Sequence, residues 1–537
     1  MFVNIFYQLI DIVKTNFFTI VLLTIFTNVI QYYINYFNRP SKIPGPLPLP
    51  IIGNFHQIGA NFTVSLKRLH EKYGDFYEFY TGSTHNIVIS RPDLVEKVWG
   101  PVSLKNTKFI LRTSYSEGLN ELGVGTKGMV FNRNIEGWVL NRRFMNTISA
   151  PSFLRESINL SNKVIDQVFE YWKIINKEGM QIDVCEWLNT VGADVVSTTA
   201  TGKSVAATTK LFNSLNIENK KSLQGIWENG VKFCQSIHLY NESMAFMMLI
   251  PAKLRRNLPF ISSINKKYLD NRDWIYKELD RVVSEKQKEI ENTPLSQHLK
   301  PNILTLLLTT NTERDLDKIS VGKFERPLTK DEVISIIREV FTGGLDTTSS
   351  TLSIIMFYLA KHRDVYLKMR QEVLDVYGSL NNPVLTLESY GKLKYIEAVI
   401  YESIRMFPTV SNMPRTATED IELDGFIIKA DTTVHTDFLV LNHNPKYFKD
   451  PETFNPDRFL TDKESILKYV YIPFGNGVRA CPGRAWAMVQ MKTFLVKLVC
   501  IFDIDSNDKN DAPKFSYHTV NRPADIYINV KTEIVNI

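Results

Sequence analysis

The stretch Phe474-Gly475-Asn476-Gly477-Val478-Arg479-Ala480-Cys481-Pro482-Gly483 restricts the fold of this chain more than any other. Its cysteine is set among glycines, directly ahead of a helical pattern that runs roughly from Arg484 to Phe502, so it is arranged to present its sulfur. Gly477 and Gly483 let the backbone turn tightly and approach a flat ligand without a Cβ clash. The dipole and free N–H groups at the start of the following helix favour a thiolate. Pro482 suits a helix start, where its missing N–H is not needed. Such a sulfur is a metal ligand; the competing reading is a buried structural cysteine in a Gly-rich turn. That second reading is the one for Cys185, Cys234 and Cys500, each in an apolar helical pattern. The chain holds 4 cysteines, far apart and with no CxxC pair. This argues against a zinc site and a disulfide scaffold, and for a reducing compartment.

Three further segments carry chemistry. Glu402-Ser403-Ile404-Arg405 lies in a helix expected from about Leu393 to Met406 and stopped by Pro408, and its i, i+3 spacing puts both charges on one face. Phe454-Asn455-Pro456-Asp457-Arg458-Phe459 supplies another arginine downstream. Thr329 and Glu332 form a capping box for a second helix that runs to about Ala360 and is interrupted by Gly343-Gly344-Leu345-Asp346-Thr347-Thr348. Two glycines in a helix interior cost about 1 kcal/mol each against alanine. Close passage over a ligand would justify them. So would a local opening in which Thr347 bonds the carbonyl of Gly343, or a small-residue packing site. Trp138 and Arg142 are one helical turn apart and together suit a carboxylate.

In this order the segments resemble the cytochrome P-450 superfamily of haem-thiolate monooxygenases, eukaryotic microsomal type. The family's haem loop reads Phe-x-x-Gly-x-Arg-x-Cys-x-Gly, and Phe474, Gly477, Arg479, Cys481 and Gly483 fill every fixed position. The resemblance implies that Cys481 is the axial ligand of haem b and pushes electron density onto the iron. It implies that Arg479, the pair Trp138 and Arg142, and Arg415 hold propionates. The usual lysine after the tryptophan is Val139 here, and Arg143 adds a charge. Arg415, in Met413-Pro414-Arg415, matches more loosely, and a surface salt bridge is its alternative. Glu402, Arg405 and Arg458 would form a buried network bracing the loop, Thr347 would hydrogen-bond bound dioxygen, and Asp346 would help deliver protons through water. The implied reaction places one atom of O2 into a lipophilic small molecule. Its electrons would come from NADPH through a separate NADPH–cytochrome reductase, with a cytochrome b-type donor as a further candidate. The reductase would dock near Arg142, Arg143 and Arg484. Two rival functions remain: a hydroperoxide isomerase or dehydratase, and a haem carrier or gas sensor. The Asp346-Thr347 pair disfavours both.

The expected fold class is mainly α with small β-sheets: one large domain, 55–537, behind an anchor, 1–40, and a proline-rich hinge, 41–54. The run Phe17 to Phe37 carries no charge and as a helix spans about 30 Å, a bilayer core. Asp11 and Lys14 precede it; Arg39 and Lys42 follow and predict a cytoplasmic body, with the endoplasmic reticulum as the family's usual membrane. A cleaved signal peptide and an interfacial helix compete, and a buried core helix is disfavoured by the proline run that follows. The prolines from Pro44 to Pro50 fix φ and make a stiff spacer, with an ordinary linker as the alternative the segment alone leaves open. Phe76–Tyr80 and Asn86–Ser90 read as strands around a Thr-Gly-Ser turn. The hydrophobic share of 44% supplies a large core. A net charge of +6 suits an acidic partner or an anionic membrane surface, and its dispersed basic residues carry no nucleic-acid motif. Met244 to Pro251, with Lys253, Arg255 and Arg256 behind it, resembles an access lid whose cations sit near lipid head groups; a plain core helix end is the alternative. Thr342, Val410, Ser411 and Asn412 are expected to line the substrate pocket.

Overall fold

The computed structural model describes residues 16–532, apart from 40, 60, 83, 101–102, 216, 218–220, 222–226, 315–325, 462–467, 507–511 and 518–519. Asp11 and Lys14 lie outside the described residues. Helix α1 (Phe17–Phe37) buries none of its residues against the body and is long and apolar enough to cross a membrane. The hinge that follows is laid along the body: the Glu78 N–H donates to the Pro44 carbonyl at 2.8 Å. Gly45 passes so near that a Cβ would lie 2.1 Å from the Glu78 carbonyl oxygen. Arg39 meets Glu78 at 2.8 Å and stacks on Tyr36.

Strands β1 (Phe76–Thr81) and β2 (Thr84–Ile89) form the expected hairpin. The sheet is completed by β3 (Asn412–Thr416) and β4 (Thr433–Asp437), in the order β1-β2-β4-β3, with β2 and β4 parallel. The rest is largely helical. The helices that build the site are α2 (Ile135–Thr147), α3 (Pro151–Lys177), α4 (Val184–Thr201), α5 (Gly230–Leu249), α6 (Lys330–Leu359), α7 (Lys394–Met406), α8 (Phe438–Asn442) and α9 (Arg484–Ile501). Helix α6 starts at the predicted capping box, with Thr329 and Glu332 each bonding the other's backbone. It runs unbroken through Gly343 and Gly344.

Helix α6 joins two hydrophobic cores. Val333, Ile336, Ile337, Val340 and Phe341 belong to one, with Trp99, Trp138 and Trp227. Leu352, Ile355, Met356 and Leu359 belong to the other, with Trp172, Phe169 and Phe494. Gly343 to Thr348 lies between them, where packing relaxes enough for a cavity to open. Behind the cavity, Glu402 accepts two bonds from Arg405, at 2.7 and 2.8 Å, one from Arg458 at 3.1 Å and one from the Asn455 N–H at 2.8 Å. All three charged residues are buried. The other guanidinium N–H groups donate to carbonyls, including those of Asn442, Pro451 and Lys449. This is the expected network, and its spare donors are satisfied.

Of the two readings of the segment ending at Pro251, the core helix end is the one observed. Met244 and Met247 are core residues, and Arg255 is fully buried. Arg255 donates to Glu121 at 2.6 Å and Asn265 at 2.8 Å, and Arg256 pairs with Glu117 and Glu121. These two cations hold a neighbouring helix, Glu117–Glu121. Cys234 and Cys500 are buried in helices and Cys185 is half-buried, all with free thiols.

Asp437 ends β4 and caps α8, its Oδ1 accepting from the Val440 N–H at 3.1 Å. Burial raises its carboxyl to about 7. A raised carboxyl gives stability that is complete below about pH 4 and is lost as pH rises through about 7. Asp437→Asn keeps the cap and removes the charge. In urea titrations the wild type should lose up to about 4 kcal/mol relative to this variant between pH 4 and 8. Parallel curves for the two proteins would contradict this.

Candidate active site

The cysteine loop is shaped by backbone geometry. Gly475 and Gly477 adopt φ values of +72° and +65°, open only to glycine at low cost. A 3₁₀ turn spans Gly477–Arg479, and the Cys481 N–H donates back to the Phe474 carbonyl at 2.7 Å. Gly483 is the N-cap of α9, with φ −85°, so a left-handed turn is not its reason. A Cβ there would lie 3.9 Å from Cys481 Sγ, so the glycine keeps the sulfur's surroundings open. Pro482 precedes that cap and lies outside the first helical turn.

Cys481 opens into a cavity of about 280 Å³, the size of a ligand site. Burial pushes its thiol up, while the N–H of Gly483, the charges of Arg112 and Arg142, and the N–H of Arg484 act the other way. Phe474, Arg479 and Gly483 share the lining, with Trp138 and Arg142 from α2 and Gly343, Gly344 and Thr347 from α6. The two glycines serve different ends. A Cβ on Gly343 would meet nothing within 4 Å, so this position keeps the helix surface flat beside the cavity. A Cβ on Gly344 would meet Val196 at 3.3 Å, so that position lets α4 pack closely. Thr347 donates to the Gly343 carbonyl at 2.7 Å, the bond expected from the sequence.

Four guanidiniums gather on one side. Arg479 is buried over the Trp138 ring and donates to the carbonyls of Ile110 and Met129, both at 2.9 Å. Arg142 donates to the Ala480 carbonyl at 2.6 Å. Arg415 is fully buried, 3.6 Å above the Trp99 ring, so it makes no surface salt bridge; it stands behind the cavity lining. Arg112, in no sequence motif, lines the cavity and donates to the Arg479 carbonyl at 2.7 Å. Burial lowers Arg112 to about 10 and pushes Arg415 well down, helped by repulsion from Arg112 and Arg479. Glu339 is the one carboxylate among the described lining residues.

Asp346 points elsewhere. It is fully buried and does not line the cavity. Its Oδ1 lies 2.5 Å from Nδ1 of His238, and its Oδ2 accepts from Asn241 at 2.8 Å and Arg522 at 2.5 Å. Burial pushes this carboxyl up, but His238, Arg522 and Asn241 together hold it at about 2. Of the expected pocket residues, Val410 lines the cavity; Thr342, Ser411 and Asn412 do not.

A family model described as Cytochrome P450 matches residues 43–530. The chain belongs to the cytochrome P450 family. It is 28% identical over 507 residues to tabersonine 16-hydroxylase 1 of Catharanthus roseus, covering 92% of each chain. It is 24% identical over 478 residues to cytochrome P450 3A28 of Bos taurus, covering 88% of this chain and 86% of that one. It is thus a haem-thiolate P450 monooxygenase that uses a redox partner, O2 and a lipophilic substrate.

The residues present fit a haem. The cavity has a sulfur ligand and a helix face left flat by Gly343. Nε of Arg112, and Nε and Nη2 of Arg415, are buried without hydrogen-bond partners. Paired propionates would supply the missing acceptors and counter-charge. Arg112→Met and Arg415→Met should each speed haem transfer to apomyoglobin roughly 10–100-fold, the worth of a charge-assisted hydrogen bond. Unchanged transfer rates in both would contradict the fit.

Proposed function

We propose that this P450 hydroxylates a lipophilic small molecule at a membrane. Electrons come from NADPH through a separate NADPH–cytochrome reductase, with a cytochrome b-type protein as a second donor. The supporting observation is that Cys481 and, across from it, Gly343, Gly344 and Thr347 line one cavity. Haem b, when bound, supplies the activation of O2. Cys481 would hold it through the sulfur, with Phe474, Gly477 and Gly483 shaping the loop. Trp138, Arg142, Arg479, Arg112 and Arg415 would anchor its propionates. Thr347 holds a proton at Oγ1 within the cavity and shares it with the Gly343 carbonyl. Asp346, next in sequence to Thr347, faces away from the cavity as a carboxylate held by His238, Asn241 and Arg522, and it acts on the site through its charge. Val130, Val340, Val410, Met413 and Phe438 orient an apolar substrate and exclude water from it.

Helix α1 anchors the chain, and Arg39 and Lys42 favour a cytoplasmic body on the endoplasmic reticulum. Arg143 and Arg484 are exposed on the cysteine side and suit an acidic reductase surface. The function is tested with purified protein, reductase and vesicles, screening lipophilic compounds under ¹⁸O2. One labelled oxygen per product, dependent on reductase and NADPH, is the expected result. Thr347→Ala should keep NADPH oxidation but divert it to hydrogen peroxide, lowering product per NADPH by about tenfold. Reductase-independent turnover, or equal coupling in the variant, would contradict the reading.

A further inference from the structure

Helix α6 carries a charged doublet, Arg338-Glu339, within a stretch that is buried from Val333 to Thr342 and otherwise mostly apolar. Neither motif nor period explains it, and buried charges persist only where they are held. Glu339 lies one helical turn before Gly343 and lines the cavity. We propose that Glu339 is a positioning residue that aims Arg479 at the haem through the backbone of one residue, Met129. The inference rests on the reading of Arg479 as a propionate ligand.

The contacts form a continuous chain. Glu339 Oε2 accepts the N–H of Met129 and, at 3.2 Å, that of Val130. Two successive backbone N–H groups on one oxygen make a small anion nest. The carbonyl of the same Met129 accepts from Arg479 Nη1 at 2.9 Å. Met129 is thereby tied to α6 on its N–H side and to the cysteine loop on its carbonyl side. The preceding residue is fitted to this arrangement. Gly128 has φ +86°, and a Cβ there would lie 2.0 Å from Glu339 Oε1. Its carbonyl accepts from Asn132 at 3.0 Å and from Asn141 of α2 at 2.9 Å. Helix α2 also carries Trp138, under the Arg479 guanidinium. Arg338 secures the neighbouring part of the segment by donating to the Gly123 carbonyl at 3.1 Å and to the Tyr276 hydroxyl. Its Nη2 stands 3.6 Å from Glu339 Oε1, near enough to balance the charge but outside hydrogen-bond range.

A leucine at 339 would free the Met129 N–H, let the segment shift, and take away the carbonyl that fixes Arg479. A glutamine would keep an acceptor for the nest without the charge. The test uses the full-length haem-loaded protein and two readouts: haem transfer to apomyoglobin, and the propionate bending bands in the resonance Raman spectrum. Glu339→Leu should speed transfer about tenfold and shift a propionate band, while Glu339→Gln recovers most of the loss. Arg479→Met should be at least as fast, and adding Glu339→Leu to it should change nothing further. Fold-changes that multiply in the double variant would overturn the coupling alone. Wild-type haem retention in Arg479→Met would remove the propionate reading and the inference with it. Should Glu339→Leu fail to fold, Glu339→Gln in both backgrounds carries the comparison. A small acceleration that vanishes beside Arg479→Met supports the coupling, and one that persists overturns it.

Discussion

Buried guanidiniums repel one another, and the cavity of this P450 is built around four of them. Arg112, Arg142, Arg415 and Arg479 come from four separate parts of the chain, and each is partly or wholly withdrawn from water. Carbonyls satisfy some of their donors: Ala480 for Arg142, Ile110 and Met129 for Arg479, and the carbonyl of Arg479 itself for Arg112. Carbonyl dipoles do not cancel net charge. Arg415 shows the strain most plainly, with burial and two neighbouring cations all disfavouring its charged form. A dianionic cofactor would resolve this, and haem binding would then be linked to local folding energy at this point.

The second organising constraint is the joint between two hydrophobic cores. Helix α6 is buried on nearly every side, so a break in its side-chain bulk is felt at once by its neighbours. Gly343 and Gly344 make that break in different directions. One clears space beside the sulfur, and the other brings α4 close. The helix nevertheless stays continuous, and the Thr347 hydroxyl bonds the Gly343 carbonyl without opening it. The same short segment therefore shapes the cavity, places a hydroxyl in it, and turns Asp346 away toward His238, Asn241 and Arg522.

Local patterns made part of this legible in the sequence. The capping box at Thr329, the ends of α7, the β1–β2 hairpin and the Glu402–Arg405 pair follow from spacing and from residues a few positions apart, whereas the joining of Arg458 to that pair was implied only by the family resemblance. Partners brought together from distant segments left no such trace. Arg112 lies between two irregular stretches, and nothing near it in sequence announces a cation facing Cys481. His238 and Arg522 reach Asp346 from a helix and a hairpin far along the chain. The Arg255–Glu121 pair likewise turned a cation expected near lipid into a buried strut. Arg415 and the hinge show the same limit. Burial decides the first, and the fit of Gly45 against Glu78 decides the second.

The account stands on one atom, the sulfur of Cys481, since the arginine cluster and the flat helix face have a purpose only if haem iron sits over it. The carbon-monoxide difference spectrum of the reduced, full-length protein tests this directly. A far-red-shifted thiolate band, lost in Cys481→Ala while the protein remains folded, is the result expected. A band like that of a histidine-ligated haem, or a thiolate band that survives the substitution, would contradict the assignment.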